Sequence, residues 1–378
     1  MVNTGDTAWV LTSASLVLLM TPGLALFYGG MVRVKSALNM MMMSFGALGL
    51  ISVLWVLYGY SLAFGNDVGG GLLGSPTEFL GLRGLLEDTT SVDGGLPAMA
   101  FVGFQAVFAI ITVALVSGAV AERMKFGAWM VFAGVWATVV YFPVAHWVFD
   151  FSAGDHVGGW IANTLGAIDF AGGTAVHINA GAAALALALV LGTRRGFGTE
   201  AMRPHNLPLV MLGAGLLWFG WFGFNAGSAL AANHTAAIAW VNTLVAPAAA
   251  SLAWIVTERI RDGYATSLGA ASGLVAGLVA ITPACCGSAG SASTPAPPSR
   301  PTTPPPSPGS TRWWPPQPPA SRGSSPSGSV TGTPPRWAPR RAWSPAWWPS
   351  PRHARRCPRS APSSSASAAA CSARWPSA

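Results

Sequence analysis

Eight apolar runs of about 20 residues or more divide most of this chain, and a helix of that length crosses a hydrocarbon core. They lie near 7–31, 38–64, 97–120, 126–149, 171–192, 207–230, 236–257 and 265–283. Charged residues make up 9% of the chain, against about 25% in an ordinary soluble domain, so the expected fold is an all-α, polytopic membrane bundle. The first run lacks a basic segment before its apolar stretch, and Phe27-Tyr28-Gly29-Gly30 is a poor cleavage site, so it reads as a retained span rather than a removed leader.

The net charge of +8 conceals two regions. Residues 1–288 carry ten Lys and Arg against thirteen Asp and Glu, a net of −3, whereas 289–378 carry eleven Arg and no acid. The chain is therefore a near-neutral membrane body with a basic extension, and no nucleic-acid partner is expected. The body's basic residues alternate between loops. Arg33 and Lys35 follow the first run, Arg123 and Lys125 the third, Arg194, Arg195 and Arg203 the fifth, and Arg259 and Arg261 the seventh. Arg83 alone falls on the opposite set, among Asp67, Glu78, Glu87, Asp88, Asp93, Asp150 and Asp155. Basic loops stay cytoplasmic, which predicts an N-terminus outside and a cell-membrane location.

From about Ser288 the sequence contains no Leu, Ile, Phe, Met, Asp, Glu, Lys, Asn or Tyr and holds 22 of the 30 prolines. Such a segment cannot bury enough apolar surface to offset its ordering entropy, so a disordered or polyproline-like extension is expected. This divides the chain into a membrane domain, 1–285, and a low-complexity Pro/Ser/Arg-rich tail, 286–378. A basic cytoplasmic tail that meets anionic lipid is one reading. The other is a frameshift, because the missing amino acids are mostly those with A/T-rich codons and the break is abrupt. Shifting the frame near codon 286 is then expected to restore apolar helices. Cys285, Cys286, Cys357 and Cys371 show no metal-ligand spacing, and no cofactor is expected.

Within the body, DFAGGTAVHIN (169–179) sets His177 inside an apolar helix that meets no charge until Arg194. An imidazole at membrane depth is a functional candidate by default and handles protons near neutral pH. Phe104 and Phe108 are four apart and share a helix face, as do Phe224 and Ser228 in WFGWFGFNAGS (218–228). Aromatic faces attract a desolvated cation, a hydroxyl accepts from N–H, and the glycines let helices approach closely. A small cation bearing N–H bonds suits that mixture. Taken singly, an aromatic on a membrane helix is usually a packing residue, and a mid-helix serine such as Ser228 usually bonds its own backbone. Asp169 reads as a helix N-terminal cap with a modest pull on cations. His146, beside Trp147 near the outer end of the fourth run, reads as an interfacial anchor. Glu122-Arg123-Met124-Lys125 reads as a positioning motif at the inner interface.

GWFGFNAGSA and DFAGGTAVHINA together resemble the ammonium transporter (Amt/Mep/Rh) family, bacterial branch. TPGLALFYGGMVRVKSALN, FQAVFA, GAVAERM, FPVAHWVF, VNTLVA and ITPAC extend the resemblance over about 7–285. It implies an eleven-helix homotrimer, of which eight helices are present here, with a pore in each subunit. It implies recruitment of ammonium by Ser228, Phe108 and Phe149, a gate of Phe108 over Phe224, and a pore histidine, His177. Asp169 supports the mouth, and a PII-type regulatory protein docks on the cytoplasmic face. Phe149 stands where many relatives have tryptophan, a stronger cation–π partner. The second pore histidine of the family has no counterpart, since His353 in SPRHARR lacks the flanking motif. An ammonium sensor and a non-conducting truncated homologue are therefore the alternatives to a transporter. No nucleotide loop or catalytic triad points to an enzyme.

Overall fold

The computed structural model describes residues 2–86, 91–92, 95–200 and 202–286. The Pro/Ser/Arg-rich segment from 287 on, with His353, lies outside them. Eight long helices account for most of the described chain: α1 (Thr4–Met31), α2 (Val34–Phe64), α3 (Ala98–Val120), α4 (Phe126–Phe149), α5 (Gly173–Leu191), α6 (Leu207–Gly227), α7 (His234–Asp262) and α8 (Ser267–Ala284). Each coincides with one expected apolar run, and the chain is an all-α, multi-pass membrane bundle.

Local chemistry sets the ends. Asn3, Asn206, Asn233 and Thr266 cap α1, α6, α7 and α8, each accepting from a backbone N–H two or three residues on. Gly263, at φ 83°, closes α7 in the left-handed region that a side chain disfavours. Three π turns were not legible in the sequence: Trp55–Gly59 in α2, Ala137–Tyr141 in α4 and Gly173–Ile178 at the start of α5. Such turns gather at functional sites, and the third carries His177. A two-stranded hairpin, β1 (Ser91–Val92) with β2 (Leu96–Pro97), precedes α3.

α3 is the central helix, with 78% of its most apolar stretch buried, while α5 and α7 lie outermost at 17% and 22%. Lipid is as apolar as a leucine side chain, so helices associate in membranes by close backbone approach at small residues rather than by a hydrophobic driving force. The α1–α6 seam, the most extensive in the bundle, works this way. A Cβ on Gly213 would meet Gly23 O at 2.7 Å and the Phe27 backbone nitrogen, and one on Gly223 would meet Ser13 O at 2.6 Å. Because those neighbours are backbone, they cannot swing aside. Gly213→Ala is therefore expected to cost about 1–3 kcal/mol, as overpacking does, read as a lowered thermal midpoint in detergent. Gly215→Ala, where a Cβ meets open space, is the control.

Candidate functional site

The sequence-derived candidates converge. Phe108 and Phe224, on α3 and α6, stack with ring centroids 4.3 Å apart and planes 14° from parallel. Both are fully enclosed, at 1% and 0% exposure. Phe104 leans on Phe108 at 4.9 Å, and Phe149, half-buried at the end of α4, meets Phe108 edge-on at 6.3 Å and 87°. His177 lies against the other side of the stack. Its ring is stacked on Trp221 at 5.4 Å and on Phe224 at 5.8 Å. It borders an apolar cavity whose walls include Met20, Phe27, Tyr28, Trp221 and Phe224. The buried His177 Nε2 has no hydrogen-bond partner among the described residues. A buried polar atom without a partner is costly, and in a native protein it needs an explanation such as a ligand or water.

Asp169 holds the π turn that presents His177. Its Oδ1 accepts from the backbone N–H of Gly172 (2.9 Å) and Gly173 (2.6 Å), and its Oδ2 from Thr174 (2.7 Å) and Ala175 (3.1 Å). One carboxylate thus satisfies four donors that a helix start otherwise leaves open. Gly172 turns at φ 92°, a conformation suited to glycine, and Gly173 packs directly on Pro283 at the end of α8. The Ser228 hydroxyl, half-buried at the C-terminus of α6, donates to Phe224 O at 2.8 Å and keeps its lone pairs free to accept.

Two residues gain roles that the sequence did not disclose. Trp221, within an aromatic-rich run, supplies the platform under His177. His146 corrects an expectation: it is not an interfacial anchor. It is completely buried, and both ring nitrogens face acceptors: Asp67 on one side, Asp150 and Ala63 O on the other. The i, i+4 spacing of His146 and Asp150 was visible; the approach of Asp67 from a distant loop was not. Trp147 beside it is half-buried, and its indole donates to Leu72 O at 2.7 Å.

At the opposite end of the bundle, the loops that carry the basic residues meet. Glu122 accepts from the Arg33 backbone N–H (2.9 Å) and from its guanidinium (2.9 and 2.7 Å), and Arg33 reaches Glu200 at 3.0 Å. Arg123 donates to the carbonyls of Gly192 and Ala119. The positioning role expected of Glu122-Arg123-Met124-Lys125 takes this concrete form.

Fold and side chains define a multi-pass membrane protein with a stacked aromatic plug over a histidine-bordered apolar cavity. Residues 8–291 match the Ammonium Transporter Family, and the chain belongs to that family. It is 65% identical over 297 residues to the ammonium transporter of Mycobacterium tuberculosis H37Rv, covering 74% of this chain and 62% of that one. It is 52% identical over 286 residues to the ammonium transporter of Aquifex aeolicus, covering 75% and 64%. The chain thus spans less than two thirds of the length of these relatives. Among solved structures it is similar to Saccharomyces cerevisiae Mep2 (TM-score 0.69, 38% identity, 75% of this chain and 64% of that one). It is also similar to a protein described as Sensor Amt Protein (TM-score 0.69, 28% identity, 75% and 69%). The curated relatives are named as ammonium transporters, a class of transport proteins rather than enzymes.

Proposed function

We propose that this protein moves ammonium or ammonia across the cell membrane, with its N-terminus outside and a homotrimeric assembly. The observation that carries the reading is the Phe108–Phe224 stack set directly over His177, whose buried Nε2 has no hydrogen-bond partner among the described residues. A charged ion is costly to bring into a dry, apolar passage, whereas a neutral amine is not. Ser228, Phe108 and Phe149 recruit the cation by hydrogen bonding and cation–π attraction. The Phe108–Phe224 gate excludes water. The cation gives up its proton to water on the outer side of that gate, and His177 holds the neutral species by a hydrogen bond. Asp169 acts through the backbone, by fixing the turn that carries His177. The membrane domain, 1–285, houses this machinery, and the face bearing Arg33 and Glu122 is the one on which a PII-type partner would dock.

Similarity to the Sensor Amt Protein supports a second reading, an ammonium sensor with the same mouth; a non-conducting truncated homologue is its limiting case. Saturable methylammonium uptake by the full chain in a transporter-deficient host, lost in His177→Phe, is the outcome expected of a transporter. Ammonium binding without uptake would instead select the sensor or non-conducting reading.

Phe149→Trp is expected to tighten recruitment. Tryptophan is the best cation–π donor among the aromatic residues, and the difference within a range of about 0.5–2 kcal/mol amounts to a few-fold in apparent affinity. Equal apparent affinities for methylammonium in the two proteins would remove Phe149 from the recruitment site.

A further inference from the structure

A chain of alternating carboxylates and imidazoles lies at the end of the bundle where α4 and α6 finish. Asp67 Oδ1 meets His146 Nε2 at 3.3 Å, and His146 Nδ1 meets Asp150 Oδ2 at 3.1 Å. Asp150 then holds His156 Nε2 between its two oxygens at 2.9 and 3.0 Å. The side chains of Asp67 and Asp150 are 6% and 7% exposed, while His156 reaches solvent at 27%. Both His146 ring nitrogens face acceptors, and the imidazolium alone can donate to both. Asp67 is held firmly in turn. Burial alone would raise its carboxyl, but N–H bonds from Gly71, Gly69 and Leu73, with His146, outweigh that and keep it below the usual carboxylate value.

This chain joins three segments. Asp67 lies in the loop after α2, His146 and Asp150 bracket the last turn of α4, and His156 lies in the loop that follows. Backbone bonds from Asp67 N to Val157 O (2.9 Å) and from Trp160 N to Gly71 O (3.0 Å) tie the two loops together. Gly158 and Gly159 press so closely on the carbonyls of Asp150 and His146 that neither could carry a Cβ without displacement. Phe149 sits on the turn thus bound. Its ring meets Phe108, and lies 3.5 Å from where a Cβ of Gly172 would stand. One edge-on ring contact is weak and cannot alone hold the end of a helix in register, whereas a buried run of matched hydrogen bonds has one low-energy geometry.

We propose that His146 and Asp150 are positioning residues for ammonium recruitment: with Asp67 and His156 they clasp the last turn of α4 and so hold Phe149 against the Phe108 gate. The proposal rests on the recruitment role given to Phe149 above. Its test is read at that ring. The full chain in lipid nanodiscs, with 4-fluorophenylalanine in place of Phe149, gives a fluorine resonance displaced by the Phe108 ring, and Phe108→Leu identifies the displacement. His146→Gln, which leaves two buried carboxylates facing an amide, is expected to abolish that displacement. A fluorine in place of Phe45, exposed on α2, should not move. Adding Asp150→Asn, which restores a neutral amide pair, should recover most of the wild-type position. An unmoved Phe149 resonance in His146→Gln overturns the proposal. If the Phe45 probe shifts as well, that variant is misfolded, and His156→Gln, which cuts the chain at its exposed end, decides: Phe149 displaced supports the clasp, Phe149 unmoved overturns it. In uptake, a loosened Phe149 raises KM by about tenfold with little change in maximal rate, the signature of lost uniform binding. No uptake by the wild type would defeat the transport reading alone, since the fluorine result stands without it.

Discussion

Asp169→Ala is expected to lower stability by about 3 kcal/mol or more and to abolish ammonium handling together with it. Four backbone N–H groups lose their acceptor at once. A buried donor left unsatisfied costs about 1–3 kcal/mol. Asp169 is half-buried, so water replaces part of the carboxylate and the four costs do not add in full. The negative charge at a helix start contributes up to about 1 kcal/mol more. The functional loss follows from the same geometry. The freed N–H groups belong to the turn that carries His177, so the imidazole leaves its place against Trp221 and Phe224. Asp169→Asn is the informative companion. Its oxygen can still serve two donors, but its amide nitrogen then faces the other two, donor against donor. The thermal midpoint is expected to fall in the order wild type, Asn, Ala. An unchanged midpoint in Asp169→Ala would mean that water caps the turn as well as the carboxylate does.

The expected apolar runs and the observed helices agree within a few residues at most ends, because bilayer thickness imposes helix length directly on composition. The larger departures lie where other chemistry decides. α7 runs on to Asp262, past the expected end near 257, because the polar Thr257-Glu258-Arg259 turn still satisfies its own backbone outside the apolar layer. The site was legible as residue types at helical spacing: Phe108 and Phe224 emerged because each has a second functional side chain four residues away. His146 was not legible. Its meaning depends on Asp67, 79 residues distant in sequence, and a histidine beside a tryptophan near a helix end looks the same whether it faces lipid headgroups or two buried acids. The π turn beneath His177 escaped notice for a related reason. The Asp169 cap and the Gly173–Pro283 contact form its surroundings, and the second of these is tertiary.

Glu122→Ala is expected to cost about 2–3 kcal/mol and to loosen the end of the bundle that bears the basic loops. Breaking a buried ion pair by removing one partner typically costs about 3–5 kcal/mol. Glu122 is 1% exposed, but Arg33 is 21% exposed and retains Glu200, so the lower part of that range, discounted for solvent, applies. Glu122 adopts φ 61°, which disfavours a side chain by about 1–2 kcal/mol. The residue is held there by what its carboxylate binds, and Glu122→Gly should therefore be less damaging than Glu122→Ala. The acid dependence has a definite sign. Burial would raise the Glu122 carboxyl, but the Arg33 hydrogen bonds and the charges of Arg33 and Arg194 outweigh it and hold it below the usual value. A carboxyl depressed on folding adds stability that is full above its unfolded value, about 4.3, and is lost as pH falls through the lower folded value. The gap in thermal midpoint between wild type and Glu122→Gln should thus stay constant from neutral pH down to about 5, then close in stronger acid. A gap of full size at about pH 2 would show that the contribution is packing and shape rather than charge. Closure would place the charge of Glu122 at the centre of the contacts that join the loops after α1, α3 and α5.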